Sequence, residues 1–357
     1  MAKKTAPISE PKEGQLLDFL STYKRSEKNL PKPQKELKYI LFPESVREAL
    51  GFAGFPVNNC SSITGYSDTG KTTLLIHSII ECQKTGVLPI IVSTEGKFSF
   101  DHAKFMGMDC DYTEELNEET GELVKVWNKG FFVFKDGFEN LEEMYKYIIS
   151  VMNDVLDEKL KFPYDVCFFV DSLNKLKCAA AMNKIEEDNM DLPMHNAKAH
   201  KNYFSGYIEP LVTKTRYKKY DRSITFIGIM RLHAGSNSIN PKESGGLTFA
   251  YDMAVKIHFG GMLEAAVQTK DYVINGQKVV LAKETKVKIS KNHFTGVSSE
   301  GKLLVTPHGF ISISEFDQYK KNNKDSIVEY FKTLSNISND ANVESSTKTK
   351  DVSDGEE

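Results

Sequence analysis

The chain has 357 residues, 40% of them hydrophobic, and 46 Lys plus Arg against 49 Asp plus Glu give a net charge of -3. This is enough apolar material for one large domain with appendages or for two domains, and a balance so close to neutral does not by itself demand a nucleic-acid partner. No apolar run approaches membrane-spanning length and the N-terminus lacks a hydrophobic signal region, which leads us to expect a soluble, cytoplasmic protein with no membrane partner.

Residues 1–38 read as an amphipathic helix on a tether. "GQLLDFLSTY" puts Leu16, Phe19, Leu20 and Tyr23 on one helical face, and the polar, proline-broken "KRSEKNLPKPQKE" follows. Such a helix either packs on its own core or docks on a neighbouring subunit.

From Tyr39 the chain alternates apolar runs with helical patterns, which predicts an α/β core over 39–315. Within it, "CSSIT" reads as a strand and "KTTLLIHSIIECQKTG" as a helix that stops at Gly86. Between them lies "GYSDTGKTT", Gly65 to Thr73, with the spacing Gly65, four residues, Gly70, Lys71, Thr72. That spacing is the phosphate-binding loop pattern: Gly65, Tyr66, Ser67, Asp68, Thr69 and Gly70 offer backbone N–H groups. Lys71 reaches the terminal phosphates, Thr72 holds Mg²⁺, and Thr73 continues the helix N-terminus. Further strands are expected at Val87–Thr94, Val166–Val170, Ser223–Met230 and Ala254–Phe259, their continuous hydrophobicity pointing to a mostly parallel, twisted sheet flanked by helices. "TEELNEETGELVKVWNKG" reads as a surface insertion.

After Phe259 the texture changes. "YVINGQKVVL" signals a hairpin at Asn275-Gly276, and "TKVKISK" and "LLVTPHGFIS" continue it, so antiparallel strands should finish the sheet. Residues 316–340 hold one helical pattern, "DSIVEYFKTL", and 341–357 form an acidic tail expected to be disordered. The five cysteines form no CxxC pair and read as reduced core thiols.

Hydrolysis needs more than a phosphate loop. Asp171 ends the apolar run "VCFFVDS", where a carboxylate can hold Mg²⁺ through water, and Glu95 ends "IIVSTE", where one can orient and deprotonate an attacking water. Carboxyl ends of parallel strands line the ligand crevice of such folds.

The run from "ALGFAGFPVNNC" through the loop to "STEGKFSFDHAKFMGMD" resembles the RecA family of recombinases, and the order of later motifs is kept from Tyr39 to Ile313. The resemblance implies a RecA-like P-loop NTPase core with ATP and Mg²⁺ as cofactors. Glu95 would be the catalytic base and His102 the ring stacked on adenine. In "TKVKISKNHFTG", Lys291 and His293 would be cations reaching a neighbour's ATP, and Lys286 and Lys288 would contact the second DNA strand. "NPKESGGLTFAYDMAVKIHF" is similar to the segment around the family's second DNA-binding loop, which makes Asn240, Lys242, Gly245 and Gly246, with Arg231 nearby, DNA-binding residues. Two departures stand out. The family's glutamine at the end of the central strand is absent from "FIGIMRLHAG", which offers Ile229 and Met230, with Arg231 or His233 as replacements; phage members tolerate a histidine nearby. The second interface cation is His293 rather than lysine.

The resemblance implies an ATP-dependent recombinase of phage type that forms helical filaments on single-stranded DNA and pairs it with homologous duplex, assisted by single-strand-binding and loader proteins. The rival readings are a hexameric replicative helicase on the same core and a non-catalytic accessory protein that binds nucleotide to assemble.

Overall fold

The computed structural model describes residues 33–116, 121, 123–186, 192–233, 242–243, 248–260, 269–274 and 277–331. The expected N-terminal amphipathic helix, the acidic tail, and Asn240, Gly245 and Gly246 lie outside the described residues.

Along the chain, β1 (Tyr39–Leu41) and β2 (Gly54–Pro56) pair on either side of α1 (Glu44–Leu50). β3 (Cys60–Gly65) leads into α2 (Lys71–Lys84), then β4 (Leu88–Ser93), α3 (Phe100–Phe105) and the antiparallel hairpin β5 (Asp111–Leu116) and β6 (Leu123–Lys129). Next come β7 (Val133–Lys135), α4 (Leu141–Leu156), β8 (Val166–Asp171), α5 (Ala179–Glu186) and α6 (Leu192–His200). α6 runs through a π-helical stretch, Lys201–Ile208, into α7 (Glu209–Lys214). β9 (Ile224–His233), β10 (Lys242–Glu243), α8 (Thr248–Asp252) and β11 (Val255–Phe259) precede β12 (Thr269–Ile274), β13 (Gln277–Asn292), β14 (Glu300–Thr306), β15 (Gly309–Ile311) and α9 (Phe316–Asn322).

Among the described residues the main sheet has 11 strands, in the order β15-β14-β13-β11-β3-β9-β8-β4-β7, with β10 on β9 and β12 on β13. The six strands from β11 to β7 are parallel to one another. Those from β12 to β15 are antiparallel, and β12 and β13 form the hairpin expected around residues 275–276.

The central strands are apolar on both faces because each face meets helices. On β8, Cys167 and Phe169 enter a core with α1 and α2, while Val166, Phe168 and Val170 enter a second core with α4 and the α6–α7 rod. Phe168, Phe169 and Phe226 are fully buried, each contributing about 1.5–3 kcal/mol of transfer free energy.

Local rules set the ends of α2. Leu74, Leu75, Ile79 and Cys82 are all 0% exposed on its inner face. Thr85 caps the far end, its hydroxyl donating to Glu81 O at 2.8 Å, and Gly86 follows at φ 71°.

The segment read as a surface insertion forms the largely exposed β5–β6 hairpin, tied to the body where Trp127 stacks on Phe100 with centroids 5.1 Å apart and planes at 12°. All five cysteines are free and buried. No helix among the described residues is long and apolar enough to cross a membrane.

Candidate functional site

The loop between β3 and α2 occupies the carboxyl end of the sheet's middle strand, flanked by β9 and β11. Two of its glycines are required there. Gly65 has φ 149°, and a Cβ on it would run into the Phe259 carbonyl. Gly70 has φ 103°, and its Cβ would press on Val305 and Phe310 at 3.0 Å. The loop therefore lies flat against β11 and β14, leaving its N–H groups for a ligand. From behind, the Thr285 hydroxyl on β13 donates to Thr69 O at 2.8 Å, and Thr69 Oγ1 donates to Tyr66 O at 2.9 Å.

Lys71, the first residue of α2, is 8% exposed, and its ammonium donates to Tyr66 O across the loop. Burial lowers its pKa to about 8, with the Asp171 carboxylate opposing and the Arg231 charge adding to the depression. Thr72 turns its hydroxyl toward Asp171 Oδ2 at 3.5 Å, a link 99 residues long in sequence. Burial raises the pKa of Asp171, and Lys71 and Thr72 partly counter it.

A hydroxyl and a carboxylate side by side at the glycine-shaped loop make a hard-oxygen donor set that fits Mg²⁺. No group of three or more His, Cys, Asp or Glu side chains that could hold a metal occurs among the described residues, so such an ion would share its coordination with substrate phosphates and water.

Glu95 follows β4, two strands from β9 in the sheet. Its side chain is 8% exposed. Ser172 Oγ donates to its Oε1 at 2.6 Å, and the Arg231 guanidinium pairs with its Oε2. Thr94 supports this corner by donating to Ser172 O at 2.8 Å and accepting from Ser172 N at 2.9 Å. The sequence places Arg231 near the DNA-binding residues and, with His233, as a replacement for the absent glutamine; in the folded chain its guanidinium pairs with Glu95.

His102 on α3 lines the same crevice as Asp68, Gly70, Lys71, Thr72 and Thr73, a cavity of about 480 Å³. Lys283, Thr306, Tyr330 and Phe331 complete its far wall. The Tyr330 ring stands 6.0 Å from that of His102 and 4.7 Å from that of Phe105. Burial, then the neighbouring His308, pushes the His102 pKa down, which favours the neutral ring. Thr306, Tyr330 and Phe331 were missed from sequence. The helical pattern holding Tyr330 and Phe331 was visible, but nothing local ties it to residues more than 200 positions earlier.

Lys291 and His293 do not join the loop of their own chain. Lys291 pairs with Lys256, which pairs with Ser62, while Gly65 is level with Phe259 and Val287. Lys291 therefore lies toward the amino end of β3, about 10 Å from the loop along the strand direction alone. Its Nζ donates to the carbonyls of Ala250 at 2.7 Å and Tyr251 at 2.8 Å. His293 is next to this end, its N–H donating to Ala254 O at 3.0 Å. Lys286 and Lys288 stand on the exposed face of β13. Lys286 pairs with Glu300 at 2.9 Å, and Lys288 lies opposite the same residue. Lys242 pairs with His233 across the β9–β10 stem.

No protein-family model matches the chain. Its sequence is similar to the protein RecA of Ureaplasma parvum, 34% identical over 77 residues, which is 22% of this chain and 23% of that protein. It is similar to RecA of Chlorobaculum parvum, 38% identical over 74 residues, 21% of each chain. The match to RecA of Corynebacterium urealyticum is 35% over 78 residues, 22% of this chain and 21% of the relative. The chain thus spans under a quarter of the length of the curated relatives it matches. These matches support a RecA-like protein.

Proposed function

We propose that the chain is an ATP-dependent DNA recombinase on a RecA-like P-loop NTPase core, spanning 39–315, that assembles as helical filaments on single-stranded DNA. In this reading it promotes homologous pairing and strand exchange, with single-strand-binding and loader proteins as partners. The observation that carries it is the convergence, at the carboxyl ends of β3, β4 and β8, of a glycine-shaped loop, the Thr72–Asp171 pair and Glu95. A bare nucleotide-binding module has no use for the third of these.

Each residue has a task set by its place. The loop N–H groups and Lys71 hold the phosphates, and the α2 N-terminus adds its dipole. Thr72 and Asp171 orient Mg²⁺, which when bound neutralises charge on the transferring phosphoryl group. Glu95 takes the proton of the attacking water. His102 and Tyr330 flank the space for the base. Lys291 and His293, remote from the loop in their own chain, serve the next protomer's nucleotide. Lys286, Lys288, Lys242 and the residues around 240–246 meet DNA phosphates. The phage-type assignment rests on the missing glutamine at the end of β9, where His233 stands nearby, since phage members tolerate a histidine there.

Single-stranded DNA is expected to stimulate ATP hydrolysis by the purified chain. Lys71→Ala should abolish nucleotide binding, and Glu95→Gln should keep binding while cutting kcat by roughly a hundredfold or more. Electron microscopy with a non-hydrolysable analogue and single-stranded DNA should show helical filaments. Closed hexagonal rings would make it a helicase, and DNA-independent hydrolysis without polymers would favour the accessory reading.

A further inference from the structure

The last described turns of the chain are fastened to the body by contacts separate from those of the glycine loop. Residues 324–331 are helical, and Ile327, Tyr330 and Phe331 share one helical face, three and four positions apart. Ile327 is 0% exposed in a small core with Leu281 of β13 and Tyr319 of α9, against which Phe331 packs. A second hold comes from His308, in the turn between β14 and β15. Its Nδ1 stands 2.8 Å from the Tyr319 hydroxyl and its Nε2 3.2 Å from the Ser326 hydroxyl. Ser326 donates its own proton to Asn323 O at 3.1 Å, so the His308 Nε2–H donates to Ser326 and Nδ1 accepts from Tyr319. Both ring nitrogens of His308 thus engage the C-terminal segment, while Pro307 just before it lines the cavity that holds Lys71.

These holds bring Tyr330 to the cavity wall beside His102. The two rings are 6.0 Å apart and inclined at 54°, with the Tyr330 hydroxyl 3.4 Å from His102 Nδ1. Tyr330 also rests on Phe105, whose ring is 4.7 Å away and itself meets the His308 ring at 4.5 Å. Two inclined rings on one wall make a cleft for a flat ligand, and the stacking such a cleft offers grows with the area of the ligand's ring. The cavity, about 480 Å³ and lined from Lys71 to Tyr330, falls within the range of roughly 300–1,000 Å³ common for small-molecule sites. Building on the nucleotide reading above, we propose that Tyr330 is a base-contact residue that makes this site prefer purine to pyrimidine nucleotides, and that His308 is the positioning residue that clasps the C-terminal segment so that Tyr330 meets the base. Lys71 and Thr72 serve a triphosphate equally whatever base it carries, so the preference is set at this wall.

The test is calorimetric binding to the full-length chain in Mg²⁺, with ATP, CTP and inorganic tripolyphosphate as probes. Tyr330→Ala should weaken ATP roughly tenfold, the loss expected for one stacked ring, CTP less, and tripolyphosphate not at all. Tyr330→Phe keeps the ring and should retain the preference for ATP over CTP. His308→Ala should weaken ATP several-fold by freeing the segment, with His308→Asn, which keeps a donor and an acceptor, recovering part of the loss. In the Tyr330→Ala background, His308→Ala should cost ATP nothing further. Equal losses for all three probes in Tyr330→Ala, or no loss for any, would overturn the base contact, and additive effects of the two substitutions would overturn the clasp. Should the unsubstituted chain bind tripolyphosphate as tightly as ATP, this proposal fails while the nucleotide reading stands. If it binds neither, that reading falls and takes this proposal with it.

Discussion

Lys71 carries its charge against its surroundings: burial outweighs the help of Asp171 and brings its pKa from 10.5 to about 8. The consequence for ligand binding has a definite sign. Below pH 8 the ammonium is present in the free protein and affinity for a triphosphate should be flat. Above it the free protein loses the proton that the bound form needs, so affinity should fall by up to about tenfold per pH unit until the bound-state pKa is reached. Titrating a fluorescent ATP analogue between pH 7 and about 9.5 checks this, with Lys71→Arg as control because a guanidinium stays charged throughout. An equal fall in that variant would assign the effect to other groups.

Among the elements, β13 connects most of the assigned parts. Midway along it, Lys283 lines the cavity beside the glycine loop, Thr285 braces that loop, and Lys286 and Lys288 face outward. At its end Lys291 is anchored to the carbonyls of Ala250 and Tyr251, level with Ser62 of β3. One strand thus serves its own site with its middle and presents a cation away from it with its end. If that cation works across an interface, mixing Lys71→Ala and Lys291→Ala chains should restore activity that neither has alone. Random pairing at equal amounts gives about a quarter of interfaces an intact loop beside an intact lysine. Hydrolysis no greater than the sum of the separate variants would mean that Lys291 does not act in trans.

Over the whole molecule, both layers on the central sheet contain a histidine kept neutral. His77 on α2 packs against Phe310 on one side, and His200 on the other accepts or donates a 2.8 Å bond with the Tyr145 hydroxyl beneath Phe249. Burial lowers each pKa to about 4. Because the folded-state values lie below the unfolded 6.5, the unfolded chain binds more protons between pH 6.5 and 4, and stability falls as pH drops through that window. Each histidine contributes on the order of 2 kcal/mol of loss between pH 6.5 and 5. Urea unfolding at pH 7 and 5 should show a lower midpoint in acid, and His200→Phe should shrink the difference. An unchanged pH dependence in that variant would place the sensitivity in other groups.

The sequence by itself determined what is local in the chain. The glycine loop is contiguous, its glycines sit where a Cβ would strike Phe259 or Phe310, and the runs leading to Glu95 and Asp171 announce themselves by unbroken hydrophobicity shortly followed by an acid. The β12–β13 hairpin is equally local, Ile274 pairing with Gln277 across just two intervening residues. Only the tertiary structure decided which distant side chains meet. Thr72 finds Asp171 across 99 positions, Arg231 finds Glu95 across 136, and Tyr330 comes to His102 across 228. Such meetings follow from strand order and helix packing, which periodicity and short motifs do not encode, because a period of two or 3.6 residues reports the face a residue occupies and not the partner that face will meet.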